Sequence, residues 1–352
     1  MRERQAGGTV GGIVIRRSKV ASDAPVSWRD GVHIAGTSIW CDARRRRGVW
    51  FVSSLERIDR SQQRAVSRGV GQLIATEPTL AMLERTGRGD LSVPYRQRFT
   101  LGSVKLELLP SGRGIGAAAL FAEVSGRKVL YASSIRTRSG GIGEPGETRA
   151  CDALVIGAPY GAPRHEFPAI DQVADQLVGW VRNQLAANRT PVVFVDSVLD
   201  AIEVAARVGP GVPVSPVFPQ AQTRSVATIA QRTRGVTKSR RLTPPPSRER
   251  HPKIYIVVDG DRGSVLEGVP GQPATALVSA RALDGSDGCD AGFVWAGTAG
   301  HKDLLAWIEG TRAQQVYVTG ACAGAIANKL GARARILGPP HQMPLFSTEP
   351  TA

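Results

Sequence analysis

Histidine and cysteine are scarce in this 352-residue chain, with five of the first and four of the second. Cys41, Cys151, Cys289 and Cys322 lie far apart and form no Cys-x-x-Cys pair. That excludes a zinc ribbon and a dense disulfide framework, and reduced thiols in a cytoplasmic protein are expected. No two of His33, His165, His251, His301 and His341 fall within 30 residues of each other. Without a His-x-His, His-x-x-x-His or His-x-x-Glu pair, a dinuclear His/Asp centre cannot be assembled locally. There is no apolar run of 18 residues, and the polar stretch Met1–Gly12 lacks the apolar segment of a signal peptide. The expectation is a soluble, cytoplasmic protein with no membrane partner. Aromatic residues make up only 5% of the chain, so the core must be built from Val, Ala, Leu and Ile.

What the chain has in excess is arginine and glycine. Lys plus Arg number 45 against 30 acids, a net charge of +15, enough to attract polyanions through counterion release. The segment from Arg224 to Lys253 carries nine basic residues against Glu249, a local charge of +8. Arg232, Arg234, Lys238, Arg240 and Arg241 within it, and the run Arg44, Arg45, Arg46 and Arg47, are the candidate contacts to DNA or RNA phosphates. Neither run has aromatic residues interleaved, so base stacking is not expected from them. A solvated basic linker is the alternative reading of the longer segment.

Hydrophobic patterning alternates with period two through the first half. Strands are expected at Gly12–Ile15, Val32–Ile39, Val49–Ser53, Gly71–Ile74, Arg98–Leu109, Ala117–Val124 and Lys128–Ala132, with a short helix at Leu80–Arg85. Val173, Leu177, Trp180, Val181 and Leu185 share one face of a helix over Ala169–Ala187. A buried strand, Pro191–Val195, and a helix, Val198–Val208, follow in βα order. Pro210 to Pro252 is rich in Pro, Ser, Thr and Arg and reads as a linker with one short helix near Val226–Gln231. Strands and helices then resume to Leu337. Such an order predicts sheets sandwiched between helices.

Several strings in one order carry a resemblance: "WCDARRRRGVWFVSS" with "IATEPTLAMLE", "LLPSGRGIGAAAL" with "VLYASSI", "CDALVIGAPYG", "AGFVWAGTAGHKDLLAWIEGTRAQQVYVTG" and "PPHQMPLF". Over about residues 30 to 346 the chain resembles the metallo-β-lactamase-fold nucleases of the β-CASP group. It is most similar to their ligase-associated DNA exonuclease branch, related to messenger-RNA 3′-end processing nucleases. The resemblance implies an α/β fold, the αββα sandwich of two mixed sheets between helices, with a reduced β-CASP-like insertion. On that reading residues 1–209 form the first part, including the strand–helix block after Tyr160. Residues 210–252 are a basic linker or shrunken insertion, 253–346 complete the sandwich, and 347–352 are a tail.

The same resemblance implies where two Zn or Mn ions would bind, and there the chain departs from it. The turn that reads His-x-His-x-Asp-His in active members holds Ser54, Glu56, Ile58 and Asp59. The later ligand positions fall on Arg113, Ser134, Gly157, Thr298 and Gly320, and only the first-motif acid, Asp42, stays in place. Both ions are therefore expected to be absent and no catalytic residue is assigned. Arg113 is expected to enter the vacated pocket and pair with Asp42, Glu56 or Asp59; the alternative is one Mg²⁺ held by those three acids. Gly112-Arg113-Gly114-Ile115-Gly116 lacks the Lys-Ser/Thr of a phosphate loop. His301 has no ligand partners nearby in sequence. At the helix after the buried strand the family tends to carry Leu-Gly-Lys-Ala-Gln, whereas this chain has Leu199-Asp200-Ala201-Ile202-Glu203, which inverts the local charge.

The function expected from these residues is that of a catalytically inactive relative which binds nucleic acid or a partner in DNA repair or RNA processing. Such a partner is an active nuclease paralogue or a DNA ligase. Two alternatives stay open: a weakly active single-metal phosphodiesterase, and a structural subunit that stabilises an active nuclease or ligase.

Overall fold

A computed structural model describes residues 24–45, 47–58, 71–85, 89–138, 142–233, 252–260 and 262–339. They form a mixed α/β protein with three β-sheets and seven α-helices among the described residues. The first sheet runs in sequence order through β1 (Val26–Trp28), β2 (Val32–Ile34), β3 (Ile39–Cys41), β4 (Val49–Phe51), β5 (Gln72–Ala75) and β6 (Leu91–Ser92). Helix α1 (Glu77–Met82) leaves β5 through an N-cap in which the Thr76 hydroxyl accepts the amide of Thr79, with Pro78 in the first turn.

Strands β7 (Arg98–Leu101), β8 (Val104–Pro110), β9 (Ala118–Val124) and β10 (Arg127–Ala132) follow as an antiparallel meander, joined in parallel by β11 (Ala153–Gly157). Expected single strands at Val32–Ile39 and Arg98–Leu109 are each two strands, broken at Gly36 (φ 77°) and Gly102 (φ 61°). Both glycines take left-handed backbone that a turn demands.

Helix α2 (Ile170–Ala186) buries Val173, Leu177 and Val181 at fourfold spacing. A third sheet of five parallel strands then begins. It comprises β12 (Arg189–Val195), α3 (Val198–Val208), β13 (Ser215–Val217), α4 (Ala221–Arg232), β14 (Lys253–Val258), α5 (Arg262–Glu267), β15 (Gln272–Ser279) and β16 (Ala291–Val294). Its spatial order is β13-β14-β12-β15-β16. Helix α6 (His301–Gly310), β17 (Gln315–Thr319), α7 (Ala323–Leu330) and β18 (Ala334–Ile336) return the chain to the second sheet, where β17 pairs with β11.

Two expectations are corrected here. Residues 215–232, read as part of a linker, form β13 and α4, because Val226, Ala227 and Ala230 give the Arg-rich stretch one buried face. Strands β14, β15 and β16 do not complete the first two sheets. β14 and β15 pair with β12 in register, Val193 opposite Ile256 and Ala276, and β16 pairs with β15, in a sheet of their own.

Alternation of side chains across each strand separates the cores. Ile34, Ile39, Phe51 and Ile74 of the first sheet face Leu106, Leu120, Val129 and Val155 of the second, so these sheets pack face to face. The other side of the second sheet meets Leu304, Trp307 and Ile308 of α6 and Ile326 of α7. The back of the first sheet, through Trp50, Val52 and Leu73, shares one cluster with α1 to α4 and with Val193, Val195 and Ile256 of the third. Val192, Phe194 and Leu277 point the opposite way, towards Val265 and Leu266 of α5. A parallel sheet covered on both faces explains the near-continuous apolar runs of β12 and β15. Among the described residues, no helix is long and apolar enough to cross a membrane.

Candidate functional site: a cleft at the carboxyl ends of three sets of strands

Helix α3 leaves β12 on one face of the third sheet and α5 leaves the neighbouring β14 on the other. Adjacent strands whose connections diverge in this way open a crevice at their carboxyl ends. The crevice meets the loops after β10 and β11, and the two together enclose a cleft of about 330 Å³. Pro159 and Tyr160 follow β11, Asp196 and Ser197 follow β12, and Trp295 follows β16 in its wall.

Arg113 fills the centre of one wall. It projects from the turn after β8, whose shape depends on Gly112 (φ 81°): a Cβ there would lie 1.9 Å from the Arg136 carbonyl oxygen. Gly297 opposite leaves room for the guanidinium, since a Cβ at that position would sit 2.3 Å from Arg113 Nη1. Arg113 is buried and fully engaged. Nη1 and Nη2 each donate to one oxygen of Asp200 at 3.0 Å, and Nη2 also donates to Glu56 at 2.8 Å and to Ser197 Oγ at 3.1 Å. Burial pulls the guanidinium pKa down, but Asp200 and Glu56 more than offset it and hold it above the ordinary arginine value. Glu56 lies on the exposed turn, with its carboxylate turned inward so that 22% of the side chain stays accessible. Burial of that carboxylate raises its pKa against the opposing pull of Arg113.

A second pair repeats the arrangement one helical step along. Arg136 Nη1 and Nη2 each donate at 2.9 Å to Glu203, and both side chains are buried. Asp200 and Glu203 stand three residues apart on α3, so they face the same way. The charge inversion in Leu199–Glu203 thus has a structural counterpart: both acids tie α3 to arginines carried on loops of the second sheet. Sequence reasoning noted the two acids and did not connect them with Arg113 or Arg136. Their signal was two carboxylates on a helix that is otherwise apolar.

The remaining expected positions divide sharply. Ser54, Glu56, Arg113, Ser134 and Thr298 all line the cleft. Asp42 lies behind it, accepting from the Ser53 amide at 2.8 Å, Ser53 Oγ at 2.6 Å and Tyr131 Oη at 2.8 Å. Burial, then Asp42, pushes the Tyr131 hydroxyl well above its ordinary pKa, so it remains a donor. Arg113 therefore meets Glu56 and Asp200, and not Asp42. Ile58 is part of the apolar core, and Asp59 lies outside the described residues. At Gly157 a Cβ would come within 1.9 Å of the Ser133 carbonyl oxygen, and Gly320 (φ 95°) packs on the Ala158 backbone. Neither has space for a side chain. His301 begins α6 and directs Nδ1 to the Gly161 carbonyl at 2.7 Å.

These donors do not fit a metal pair. Glu56 and Asp200 are committed to a guanidinium that brings its own positive charge, the third lining carboxylate, Asp196, is held by Ser279 and Arg281, and most of the remaining polar groups are hydroxyls. Among the described residues, no group of three His, Cys, Asp or Glu is placed to hold a metal ion. The cleft offers Arg57, whose side chain is 41% exposed while it donates from Nη2 to the Ser133 carbonyl and lies 3.9 Å from Asp42, and the buried Oγ of Ser134 and Oγ1 of Thr298, which have no partner among the described residues. Arg57 was not anticipated, and no pattern in the sequence singled it out.

Of the basic candidates, Arg44 and Arg45 are exposed, Arg47 is half-buried, and Arg232 is exposed at the end of α4. Arg46, Arg234, Lys238, Arg240 and Arg241 lie outside the described residues.

No protein-family profile matches the chain. It is 22% identical to a probable DNA ligase of Opitutus terrae across 337 aligned residues, which cover 91% of this chain and 32% of that protein. It therefore spans about a third of the length of this curated relative. A crystal structure of a protein of unknown function from Enterococcus faecalis V583 superposes with a TM-score of 0.51 at 13% identity, over 84% of this chain and 80% of that one. This likeness concerns the fold alone. The chain is a mixed α/β protein with distant homology, over most of its length, to a segment of a probable DNA ligase.

Proposed function

We propose that this chain is a non-catalytic relative of the metallo-β-lactamase-fold nucleases, associated with DNA processing, which binds nucleic acid and does not hydrolyse it. Two face-to-face sheets with α6 and α7 outside support the αββα reading. The third sheet, residues 189–294, then corresponds to the β-CASP-like insertion. The distant likeness to a probable DNA ligase supports the DNA-processing setting.

The observation that carries the proposal is the seating of Arg113 between Asp200 and Glu56. A two-metal hydrolase uses its ions to bring the pKa of water from about 15.7 towards about 7 and to clamp the phosphoryl oxygens. A guanidinium supplies charge but cannot generate bound hydroxide, and its presence opposes entry of a second cation. What the cleft retains is hydrogen-bonding capacity towards a phosphodiester, through Arg57 and the free hydroxyls of Ser134 and Thr298. The single-metal alternative is weakened because Asp42 already accepts three hydrogen bonds from Ser53 and Tyr131, with Arg57 3.9 Å away.

The test pairs metal content with binding. After Zn²⁺ or Mn²⁺ replenishment and desalting, elemental mass spectrometry is expected to find near-zero metal. Affinity for a labelled DNA duplex or single strand is expected to fall steeply between about 50 and 200 mM salt. One or two tightly held ions per chain would overturn the pseudoenzyme reading. Affinity that ignores salt would overturn the nucleic-acid reading and leave the stabilising-subunit alternative, checked by co-purification that survives nuclease treatment.

A further inference from the structure

The side chains that line the cleft include three carboxylates, Glu56, Asp196 and Asp200, against two guanidiniums, Arg57 and Arg113. Arg113 is taken by Asp200 and Glu56, and Asp196 accepts from Ser279 Oγ at 2.5 Å and from Arg281 Nη2 at 3.0 Å. An anion drawn fully inside would give up its hydration beside an excess of negative charge.

What the interior has to spare is neutral. Trp295 is 2% exposed, and its indole Nε1, a group that can only donate, has no partner among the described residues. Ser134 Oγ and Thr298 Oγ1 share that state. Trp50 and Trp307 also leave Nε1 unpartnered, but neither lines the cleft. Tyr160 adds a fourth donor. Its ring stands nearly perpendicular to those of His165 and Phe167, with centroids 5.3 and 5.5 Å away, and its hydroxyl has no hydrogen-bond partner among the described residues. Burial, then Asp196, raises the pKa of that hydroxyl, so it keeps its proton.

Backbone hydrogen bonds set these groups around one space. The Ala299 amide donates to the Ile135 carbonyl at 2.5 Å and ties the loop of Thr298 to that of Ser134. The Trp295 amide donates to the Ser279 carbonyl at 3.1 Å, on the third-sheet side where Ser279 also holds Asp196. The cleft's 330 Å³ lies at the small end of ligand-binding clefts, room for one nucleotide-sized group and too little for a helix. Unpartnered buried donors are a cost that an uncharged guest rich in acceptors removes. In a nucleic acid that part is the nucleoside, with its base carbonyls, ring nitrogens and sugar oxygens. A base taken out of its stack is read in this manner inside a closed pocket.

We propose that the cleft receives one unstacked nucleoside of a strand, its base turned towards Tyr160 and Trp295 and the adjoining phosphodiester left at Arg57. This rests on the nucleic-acid reading above and names the part of the strand that enters. The test measures fluorescence anisotropy, with the full chain at several salt concentrations, of labelled oligo(dT) and of an abasic oligodeoxynucleotide of the same length and charge. Removing the bases is expected to weaken binding at least about tenfold with the salt slope unchanged, since the phosphates are the same. Tyr160→Phe deletes one unpartnered hydroxyl and keeps the ring, whereas Trp295→Phe deletes the indole N–H and keeps an aromatic side chain. Each is expected to weaken oligo(dT) binding about three- to tenfold and to leave the abasic strand unaffected.

Equal affinity for the two strands, falling with salt, overturns the nucleoside pocket and leaves the broader reading standing. A preference for oligo(dT) that a Tyr160→Phe chain of unchanged melting temperature keeps in full also overturns it, whatever Trp295→Phe does. Binding of neither strand removes both readings.

Discussion

Two regions of this molecule use the same chemistry, arginine against carboxylate, at opposite extremes of solvent access. On α3, Asp200 and Glu203 hold Arg113 and Arg136 with every side chain less than 10% exposed. At the carboxyl edge of the third sheet, Asp196, Asp259 and Asp287 share Arg262 and Arg281, and the outermost members, Arg281 and Asp287, are 44% and 57% exposed. The first set is desolvated, so each partner is held to the other by the cost of a lone buried charge. The second is screened by water and salt, and its several contacts per arginine make it a local brace. The contrast gives a reason why the cleft keeps its shape: the buried pairs fasten α3 of the third sheet to loops of the second.

The largest effect expected from this contrast is on stability. Glu203→Ala leaves Arg136 buried without a partner and should cost about 3–5 kcal/mol in urea or thermal unfolding. Replacing both, Arg136→Met with Glu203→Leu, should recover most of that loss or exceed wild type, because two desolvation penalties vanish together. A single-variant cost under about 1 kcal/mol would abolish the distinction between the two regions.

Arg281→Ala, by contrast, should cost no more than about 1 kcal/mol, and the cost should shrink at high salt. The same network makes a prediction in acid. Hydrogen bonds from Arg262, ahead of those from Arg281, hold Asp259 down to about 2. Because that value lies below the ordinary 3.8, the group stabilises the fold above about pH 4, and its contribution is lost as pH falls through 2. Asp259→Asn should flatten the pH dependence of the unfolding midpoint in that window and leave it unaltered above pH 5. An unchanged acid limb would mean the ion pairs do not persist in solution.

How much of this was legible beforehand depended on sequence separation. The order of motifs led to the expectation that Arg113 pairs with Asp42, Glu56 or Asp59, of which it meets Glu56, whereas Asp200, 87 residues from Arg113, was not among the three and only the tertiary fold brings it there. Helix α2 was readable because Val173, Leu177 and Val181 lie within one element. The partner strands of β12 were not, since Val193 pairs with Ile256 and Ala276 through long connections that periodicity does not see. At α4 a short helix near Val226–Gln231 was expected within a linker, but proline and arginine nearby hid its full extent, Ala221–Arg232, and its buried face.

A smaller effect separates the two acids that share Arg113. Burial raises the Glu56 pKa despite the nearby cation, so at neutral pH its ionisation is less favourable in the folded chain than in the unfolded one. The sign is opposite to that of Asp259: the destabilising contribution is absent below the ordinary 4.5, grows as pH rises from there to the elevated value, and is constant above it. Glu56→Gln removes this cost while keeping a hydrogen-bond acceptor, and should change stability by less than about 1 kcal/mol. Asp200→Asn, which removes the charge of a fully buried bidentate partner, should cost several times more. Equal losses would mean that the two carboxylates hold Arg113 alike.

The smallest expected effect tests whether the cleft is built to bind. Ser134 is 7% exposed and its Oγ has no partner among the described residues, although it lines the cleft. A buried hydroxyl left unsatisfied is a standing cost, so a side chain kept only for packing would do better as alanine. Ser134→Ala should therefore leave stability within about 0.5 kcal/mol of wild type or raise it slightly, while nucleic-acid affinity falls by a few fold as one hydrogen bond to the ligand is lost. Thr298→Val, near-isosteric and equally unpartnered at Oγ1, gives the same comparison on the opposite wall. If both variants gain stability and lose no affinity, the hydroxyls are packing leftovers and binding takes place elsewhere. If both lose affinity without losing stability, the cleft retains unmet hydrogen-bonding capacity because a ligand supplies the missing partner.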